Sequence, residues 1–372
     1  MTVIEDVVAR SVRIPLTRVF STSNKTSHDS RLLMVAVRTS DGLVGWGEAA
    51  LNPTFTRETM EDAKRTVASI GSTQLVGRAA EDAFALVPRL SHTLGRQVAV
   101  RMALTTALHD LRARALGLPL HVLLGGRYRT TVPTTYHLGS FDAELDAHDA
   151  VEAVEQGFEI LKLKVGRTDV KDDVAAVRRI RDMVGDRGRV YADANQAWSR
   201  EQAEVFLAHA DELGVAVVEQ PTAADDLQTL SELGKREDET VVAADESIHE
   251  PADLVSALAG GCAPAGVVVK LLKAGGLDGA RDIMRLAVIG RSKAFLAGMP
   301  GDSSISSAAL LNLAVATPDL PLGTAITPHL SAKDVTRTPL QVRDGHMRLE
   351  DLEGPGLGIT VDPSLVDALA ED

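Results

Sequence analysis

The feature that most constrains the fold is a series of short apolar runs that each end in a charged residue at nearly constant spacing. The residues that end the runs are Lys164, Asp193, Glu219, Asp245 and Lys270. Their successive separations are 29, 26, 26 and 25 residues. The runs consist mainly of β-branched and small side chains, which is typical of parallel strands buried on both faces. The spacing is the length of a repeating strand, loop and helix, and it predicts a (β/α) barrel.

Two more runs extend the series, and helical periodicity fills the intervals. A run over 132–138 predicts the first barrel strand, and another over 294–297 ends at Gly298. The predicted barrel helices span 142–156, 170–184, 199–213, 223–233, 252–258, 277–289 and 304–316. The carboxyl ends of barrel strands meet at one face, where the active site lies. We therefore expect the charged series to converge at one mouth.

The N-terminal third has a different pattern. Strands are predicted over 2–16, 32–38 and 43–48, and helices over 57–70, 80–94 and 97–116. Asp41-Gly42, between the second and third strands, is a strong signal for a two-residue hairpin turn. The polar stretch 17–30, which includes Phe20, predicts a loop that is either a flexible tip or a lid. Residues 51–57, which include Phe55, predict a second loop.

The change of pattern divides the chain into three predicted parts. Residues 1–125 are expected to form an α+β domain, residues 126–326 the barrel, and residues 327–372 a C-terminal segment that returns to the first domain. A chain of 372 residues exceeds the usual size of one compact domain, which agrees with two domains.

Composition and charge exclude several classes of function. The formal net charge of −13 provides no basic surface for nucleic acid, and no apolar stretch reaches the ~18 residues of a membrane span. The N-terminus lacks the basic and apolar segments of a secretory signal. The single cysteine, Cys262, has no partner for an internal disulfide. These features favour a cytoplasmic protein without nucleic-acid or membrane partners, and they leave a homo-oligomer open.

Three acids in the series predict a metal site. Asp193, Glu219 and Asp245 offer hard oxygen donors from three successive strand ends, without a His or Cys set that would favour zinc. Such donors suit Mg²⁺, which binds a few carboxylates and keeps positions for water or a substrate oxygen. The sequence therefore predicts Mg²⁺ as the cofactor.

Lysines flank the predicted metal site. Lys162 and Lys164 are two residues apart on one strand, so both side chains point into the barrel. Crowding of their ammonium groups is expected to lower the pKa of these lysines toward the range of a base. Lys270 stands across the barrel, whereas Lys273 is expected in a loop as a solvated or substrate-proximal charge. The alternative is that the lysines only neutralise the carboxylates.

These parts predict a reaction class. Mg²⁺ bound to a substrate carboxylate stabilises the enediolate that forms when a base removes the α-proton, and lysines on opposite faces can take and return that proton.

With these motifs the sequence resembles the enolase superfamily and, within it, the muconate lactonizing enzyme subgroup, whose sites pair a Lys or His base with Mg²⁺. The resemblance covers nearly the whole chain. The matching segments are 161–166 (LKLKVG), 193–198 (DANQAW), 219–221 (EQP), 244–247 (ADES), 269–277 (VKLLKAGGL) and 355–359 (PGLGI).

The resemblance implies a fold and a set of roles. The fold would be an α+β capping domain on a modified (β/α)₇β barrel, a TIM-type α/β barrel. Lys164 and Lys270 would form the acid/base pair, and Lys162 would hold the substrate carboxylate. The loops with Phe20 and Phe55 would close over the bound substrate. Two further residues, Asn195 and Glu246, would support the metal ligands.

Two positions depart from the pattern of the subgroup. The subgroup usually has Met-x-Glu-Ser-Ser after the seventh strand, whereas this chain has Gly298-Met-Pro-Gly-Asp302. Dipeptide epimerases of the subgroup carry an Asp-x-Asp pair near the eighth strand, and here Asp319 is one acid without the other. Asp302 and Asp319 are predicted to bind substrate, with their roles open.

Three functions follow from the sequence. The first is racemisation or epimerisation of a small carboxylate, namely a dipeptide, an N-acyl amino acid or a proline derivative. The second is a muconate-type lactonizing cycloisomerase or an acid dehydratase, which needs only one essential lysine. The third is a non-catalytic protein that binds a carboxylate or a metal.

Overall fold

A computed structural model of the protein describes residues 2–21, 26–167, 169–236, 239–321 and 323–371. It contains an eight-stranded parallel sheet and a four-stranded antiparallel sheet. The edges of the parallel sheet meet through a bridge between Thr134 and Thr324, so the sheet closes into a barrel. The predicted fold class is confirmed. No helix in the described ranges is long and apolar enough to cross a membrane.

The N-terminal part is an antiparallel sheet covered by helices. Its strands are β1 (Ile4–Ser21), β2 (Thr26–Thr39) and β3 (Val44–Ala50), and its helices are α1 (Met60–Ile70), α2 (Ala80–Ala83), α3 (Val87–Leu94), α4 (Val98–Ala115) and α5 (Leu120–Leu123). The predicted turn at Asp41-Gly42 joins β2 to β3, and Gly42 adopts a φ of 87°. The predicted helix over 80–94 is divided by a 3₁₀ turn, and Pro88 stands in the first turn of α3.

The predicted loop over 17–30 is instead the end of a long hairpin. Strand β1 continues to Ser21, and β2 begins at Thr26 with Phe20 paired to Ser27. Burial alternates along 13–20, so one face of the hairpin turns toward the molecule and the other toward solvent. Polar residues alone therefore gave the wrong prediction, because a half-exposed strand is polar on one face. Residues 22–25, the centre of the predicted loop, lie outside the described residues.

The barrel follows the predicted alternation of strands and helices. A short strand, β4 (Thr131–Pro133), precedes it, and the barrel strands are β5 (Thr135–Leu138), β6 (Ile160–Lys164), β7 (Arg189–Asp193), β8 (Val215–Glu219), β9 (Val241–Ala244), β10 (Gly266–Lys270), β11 (Lys293–Ala297) and β12 (Thr324–Ala325). The helices are α6 (Ala143–Glu155), α7 (Val170–Val184), α8 (Arg200–Ala210), α9 (Leu227–Leu233), α10 (Pro251–Ala259), α11 (Leu271–Ala274), α12 (Leu277–Ile289) and α13 (Ser304–Val315).

Local capping and proline explain where the elements differ from prediction. The run over 132–138 divides because Pro133 has no N–H for a continuous ladder. Strand β4 therefore pairs with β13 (His346–Arg348), and only β5 joins the barrel. Helix α9 begins at Leu227 rather than at residue 223 because Asp226 caps it by accepting a hydrogen bond from the Thr229 amide.

The C-terminal segment contacts the antiparallel sheet. After α14 (Pro363–Ala368), β14 (Ala370–Glu371) pairs with β1, and Ser11 stands opposite Glu371. The Ala332 amide donates to the Pro15 carbonyl on the hairpin. The boundaries of the three predicted parts stay a prediction.

Candidate active site

A cavity of about 180 Å³ lies between the β1–β2 hairpin and the carboxyl ends of the barrel strands. Residues from both domains line it, which agrees with an active site at the strand ends of a barrel. From the capping side come Phe20, Asp29 and Phe55, and from the barrel come His137, Lys162, Lys164, Asn195, Glu246 and Lys270.

Strand register brings the predicted metal ligands side by side. Asp193 on β7 is paired with Lys164 on β6 and with Glu219 on β8. Glu219 in turn pairs with Ala243, and Asp245 follows directly after β9. All three acids are almost completely buried. The constant spacing along the sequence thus produces three adjacent carboxylates.

The lysines neutralise these carboxylates. Lys162 Nζ lies 2.5 Å from Glu219 Oε2 and 3.1 Å from Asp193 Oδ2. Lys164 donates to the Asp193 carboxylate from the neighbouring position. Across the barrel, Lys270 donates to Asp245. Each ammonium group therefore has at least one carboxylate partner.

This arrangement of protein groups raises the pKa of Lys162 and Lys270 instead of lowering it. Burial alone would lower the pKa of Lys162, but the charges of Asp193 and Glu219 raise it by a larger amount. For Lys270 burial also lowers the pKa, and Asp245 more than offsets it. The predicted lowering was wrong for Lys162, because nearby carboxylates stabilise its charged form more than lysine crowding opposes it. The pKa of Asp193 is correspondingly lowered by Lys162 and Lys164 despite burial.

The chemistry of the donor groups, rather than their spacing in this structure, fits a hard divalent cation. Glu219 Oε1 and Glu246 Oε2 are buried without a hydrogen-bond partner among the described residues. Within the described ranges, no three acidic, His or Cys side chains gather closely enough to coordinate one metal ion. The ammonium group of Lys162 lies between two of the carboxylates instead. Carboxylate oxygens are the ligands that Mg²⁺ prefers.

Asn195 and Glu246 connect the carboxylates to the lysines. Asn195 has a φ of 45°, and its side chain accepts from Lys164 at 3.0 Å and donates to Glu246 at 3.3 Å. Burial, with the charges of Asp245 and Asp193, raises the pKa of Glu246 to about 7. A left-handed backbone at a non-glycine residue is costly and is frequent at functional sites.

Both predicted aromatic residues lie at the cavity. The Phe55 ring covers the Lys270 ammonium group at 4.7 Å. The Phe20 ring lies 5.6 Å from the His137 ring, measured between centroids. The hairpin and the 51–57 segment therefore close the cavity on two sides.

Asp302 and Asp319 do not line the cavity. Asp302 is buried below the turn after β11, where it accepts a hydrogen bond from the Met299 amide at 2.8 Å. Asp319 is exposed and precedes β12, so it lies at the opposite end of the barrel from the strand carboxyl ends. An acid before a strand cannot face the same mouth as an acid after it.

Lys273 is not a loop charge as predicted. It lies in α11, is 1% exposed, and donates to Asp245 Oδ1 at 2.6 Å. Its ammonium group also donates to the backbone carbonyls of Asp245, Ile248 and Val268. The short helix after β10 turns Lys273 into the protein, where it anchors Asp245.

Two residues of this site were not predicted from the sequence. Gln220 is fully buried with a φ of 37°, and its Oε1 accepts from the amides of Asp245 and Ser247 at 2.8 and 3.1 Å. It fixes the turn that presents Asp245, and its place directly after Glu219 was the available signal. His137 is the penultimate residue of β5 and pairs in register with Lys162, so extending the series of inward-pointing residues back by one strand would have found it.

Comparison with known proteins identifies the family. The model of the mandelate racemase / muconate lactonizing enzyme N-terminal domain matches residues 4–125, and the enolase C-terminal domain-like model matches residues 146–365. Muconate cycloisomerase 1 of Rhodococcus opacus is 32% identical over 363 residues, which are 95% of this chain and 94% of that protein. L-Lys-D/L-Arg epimerase of Methylococcus capsulatus is 34% identical over 362 residues, which are 96% and 98%.

A solved structure supports the same assignment. Muconate lactonizing enzyme from Pseudomonas fluorescens, complexed with muconolactone, matches with a TM-score of 0.91 at 25% identity, and the match covers 100% of both chains. We conclude that this chain is an isomerase that belongs to the mandelate racemase / muconate lactonizing enzyme family of the enolase superfamily.

Proposed function

We propose that the protein racemises or epimerises an amino-acid derivative by moving the proton on the carbon next to a carboxylate. The observation that carries this proposal is the placement of two lysines on opposite walls of one cavity. Lys164 ends β6 and Lys270 ends β10, four strands away in the eight-stranded barrel. A proton removed by one lysine can then be replaced from the other face.

The chain's own groups position the reacting atoms. One lysine, in its neutral form, accepts the proton from Cα, and the electron pair of that bond spreads onto the substrate carboxylate. The other lysine, in its charged form, delivers a proton to the opposite face of Cα. Asp193 and Asp245 hold the two lysines in place through hydrogen bonds. Phe20 and Phe55 limit the access of water to the cavity.

Members of this family bind a divalent metal ion, for which Mg²⁺ is typical. Asp193, Glu219 and Asp245 would hold it, and Lys162 would share the substrate carboxylate with it. When bound, the metal supplies positive charge that favours a more negative carboxylate. Asn195 and Glu246, which share a hydrogen bond, would support the orientation of the three metal-binding carboxylates.

Exchange of the α-proton in deuterated water tests the proposal. With Mg²⁺ present, both enantiomers of a derivative from a panel of N-acyl amino acids, dipeptides and proline derivatives should exchange. Lys164→Ala should abolish exchange for one enantiomer and Lys270→Ala for the other, and removal of the metal with EDTA should abolish both. Lys293→Ala, at an exposed position, is the matched control and should retain both. The racemase proposal fails if one lysine supports exchange from both faces.

The second candidate is a lactonizing cycloisomerase of the muconate type. The match to muconate cycloisomerase 1 over 95% of this chain favours it. A single lysine would then be essential, and a muconate would react while amino-acid derivatives would not exchange. A dehydratase would release a product without forming the epimer. The family assignment sets aside the non-catalytic alternative.

A further inference from the structure

His137 lines the cavity and carries a ring nitrogen that has no hydrogen-bond partner among the described residues. It pairs in register with Lys162, so both side chains point into the barrel. His137 is 8% exposed and lines the cavity, and its Nδ1 is buried without a hydrogen-bond partner among the described residues. A buried ring nitrogen without a partner is costly unless a ligand or water satisfies it.

The surroundings of His137 decide which hydrogen bond its Nδ1 can make. Burial and the ammonium groups of Lys162 and Lys164 lower the pKa of His137 well below its usual value, so the ring is neutral and carries one N–H. Thr135 Oγ1 lies 3.2 Å from His137 Nε2. If the threonine hydroxyl donates to Nε2, the ring proton resides on Nδ1. The positive charges nearby favour a ligand oxygen at this position, which matches an Nδ1–H donor.

The described residues at the same corner offer no counterion for a substrate ammonium group. Among the described residues that line the cavity, the carboxylates are Asp29 and Glu246. Asp29 accepts from Arg13 at 2.9 Å, and Glu246 follows β9, four strands from His137 and on the opposite wall. The strand next to β5 in the closed barrel, β12, contributes Ala325. An amine placed beside His137 would be desolvated without an acid to neutralise it.

We propose, on the basis of the function proposed above, that His137 determines specificity at this corner by donating from Nδ1–H to the carbonyl oxygen of a neutral acyl group on the substrate's α-nitrogen. Thr135 is a positioning residue that fixes the tautomer of His137. The Phe20 ring packs against the imidazole and limits its rotation. The site therefore selects an N-acyl amino acid over a dipeptide with a free amino terminus.

A pair of probes that differ by one amino group tests this selection. N-propionyl and L-alanyl derivatives of methionine, lysine and glutamate have the same acyl skeleton, and only the alanyl group carries an ammonium. Wild-type protein should exchange the α-proton of the N-propionyl member with a kcat/KM at least about tenfold higher, the usual effect of one hydrogen bond. A wild-type preference for the alanyl member would overturn the proposal.

Variants separate a hydrogen bond from a structural role. His137→Leu should lower kcat/KM for the N-propionyl probe by about tenfold, mainly through KM, and change the alanyl probe by less than about twofold. His137→Gln keeps an N–H donor and should restore most of the loss. Thr135→Val should reduce the preference, and Thr135→Ser should retain it. Equal losses for both probes, or no rescue by Gln, would show that His137 only packs.

A binding measurement keeps this test independent of the reaction. Titration calorimetry with each probe, in the presence of MgCl₂, measures affinity even if no derivative exchanges its α-proton. Absence of exchange together with a His137-dependent preference for the N-propionyl probe would reject the proposed reaction but retain the binding role. Absence of measurable binding by either probe at millimolar concentration would reject the role of His137.

Discussion

Lys270 and Lys273 are three residues apart, yet their ammonium groups lie in different surroundings. Lys270 ends β10 and reaches the cavity below Phe55, where a substrate would lie. Lys273 does not line the cavity, and its ammonium group donates to the Asp245 carboxylate and to three backbone carbonyls. Although burial lowers the pKa of Lys273, Asp245 opposes that effect. One lysine is therefore available for chemistry and the other is structural.

Replacement of Lys273 should destabilise the fold. Lys273→Met keeps the length of the side chain but removes the hydrogen bonds to Asp245 Oδ1 and to three backbone carbonyls. Removing one partner of a buried ion pair costs about 3 to 5 kcal/mol. The midpoint of urea unfolding should fall accordingly, whereas Lys293→Met, at an exposed position, should leave it unchanged. A midpoint equal to that of the control would mean that Lys273 contributes no net stability.

Strand ends were predictable at the residue scale because the geometry of a barrel is periodic. Asp193, Glu219 and Asp245 come together because each ends or directly follows a strand of the same sheet, and their spacing along the chain carries that information. Asp319 lies away from this mouth because it precedes β12, and sequence distance alone does not distinguish the start of a strand from its end. The buried position of the Lys273 side chain depends on the four-residue helix α11, which is too short to be predicted from hydrophobic periodicity.

At the scale of elements, the β1–β2 hairpin forms one wall of the cavity. Its anchor is Arg18, which donates from Nη1 to the Tyr136 hydroxyl at 3.3 Å and to Asp149 at 3.4 Å. Arg18 Nη2 also donates to the His137 carbonyl. These contacts join the hairpin to β5 and α6, and their sequence separation exceeds 100 residues. No local pattern could have predicted them, because the partners lie in different domains.

Loss of this anchor should loosen the hairpin without unfolding the barrel. Arg18→Met keeps the aliphatic part of the side chain and removes three hydrogen bonds. Hydrogen exchange followed by mass spectrometry should show faster exchange in 16–21 and 26–30 only, and KM for the substrate should rise by about tenfold, as for the loss of one or two net hydrogen bonds. Arg10→Met, on the same strand, is the control, because Arg10 is exposed and its Nε lies 3.8 Å from Asp367 Oδ1, too far for a strong ion pair. Unchanged exchange in both segments would contradict the anchoring role.

At the scale of the whole molecule, one buried carboxylate joins the capping sheet to the barrel. Glu48 on β3 accepts hydrogen bonds from the amides of Ser303 and Ser306 at 2.8 and 3.3 Å. These amides begin α13, so Glu48 satisfies the open N-terminus of a barrel helix from another domain. Asp302 lies nearby, and burial with the charge of Glu48 raises its pKa well above its usual value.

The pKa of Glu48 makes this junction sensitive to pH. Burial raises its pKa from 4.5 to about 7, although the hydrogen bonds from Ser303 and Ser306 oppose the shift. Below pH 4.5 the folded and unfolded chains both hold the proton, so the stability contributed by this group does not change with pH. Between pH 4.5 and 7 the unfolded chain releases the proton while the folded chain retains it. Stability therefore falls as the pH rises through this interval, and the loss is complete above pH 7.

Glu48→Gln should remove this pH dependence while it preserves the junction. The amide oxygen of Gln can still accept from the two backbone N–H groups, and no proton is taken up on folding. Compared with the variant, wild-type protein should lose about 2 to 3 kcal/mol of stability between pH 4.5 and pH 8. Calorimetric melting temperatures at these two pH values measure the change, and Glu5→Gln, at an exposed position, should follow the wild type. If wild type and Glu48→Gln melt in parallel across this range, Glu48 is already ionised in the folded protein, and the N-terminus of α13 holds its charge.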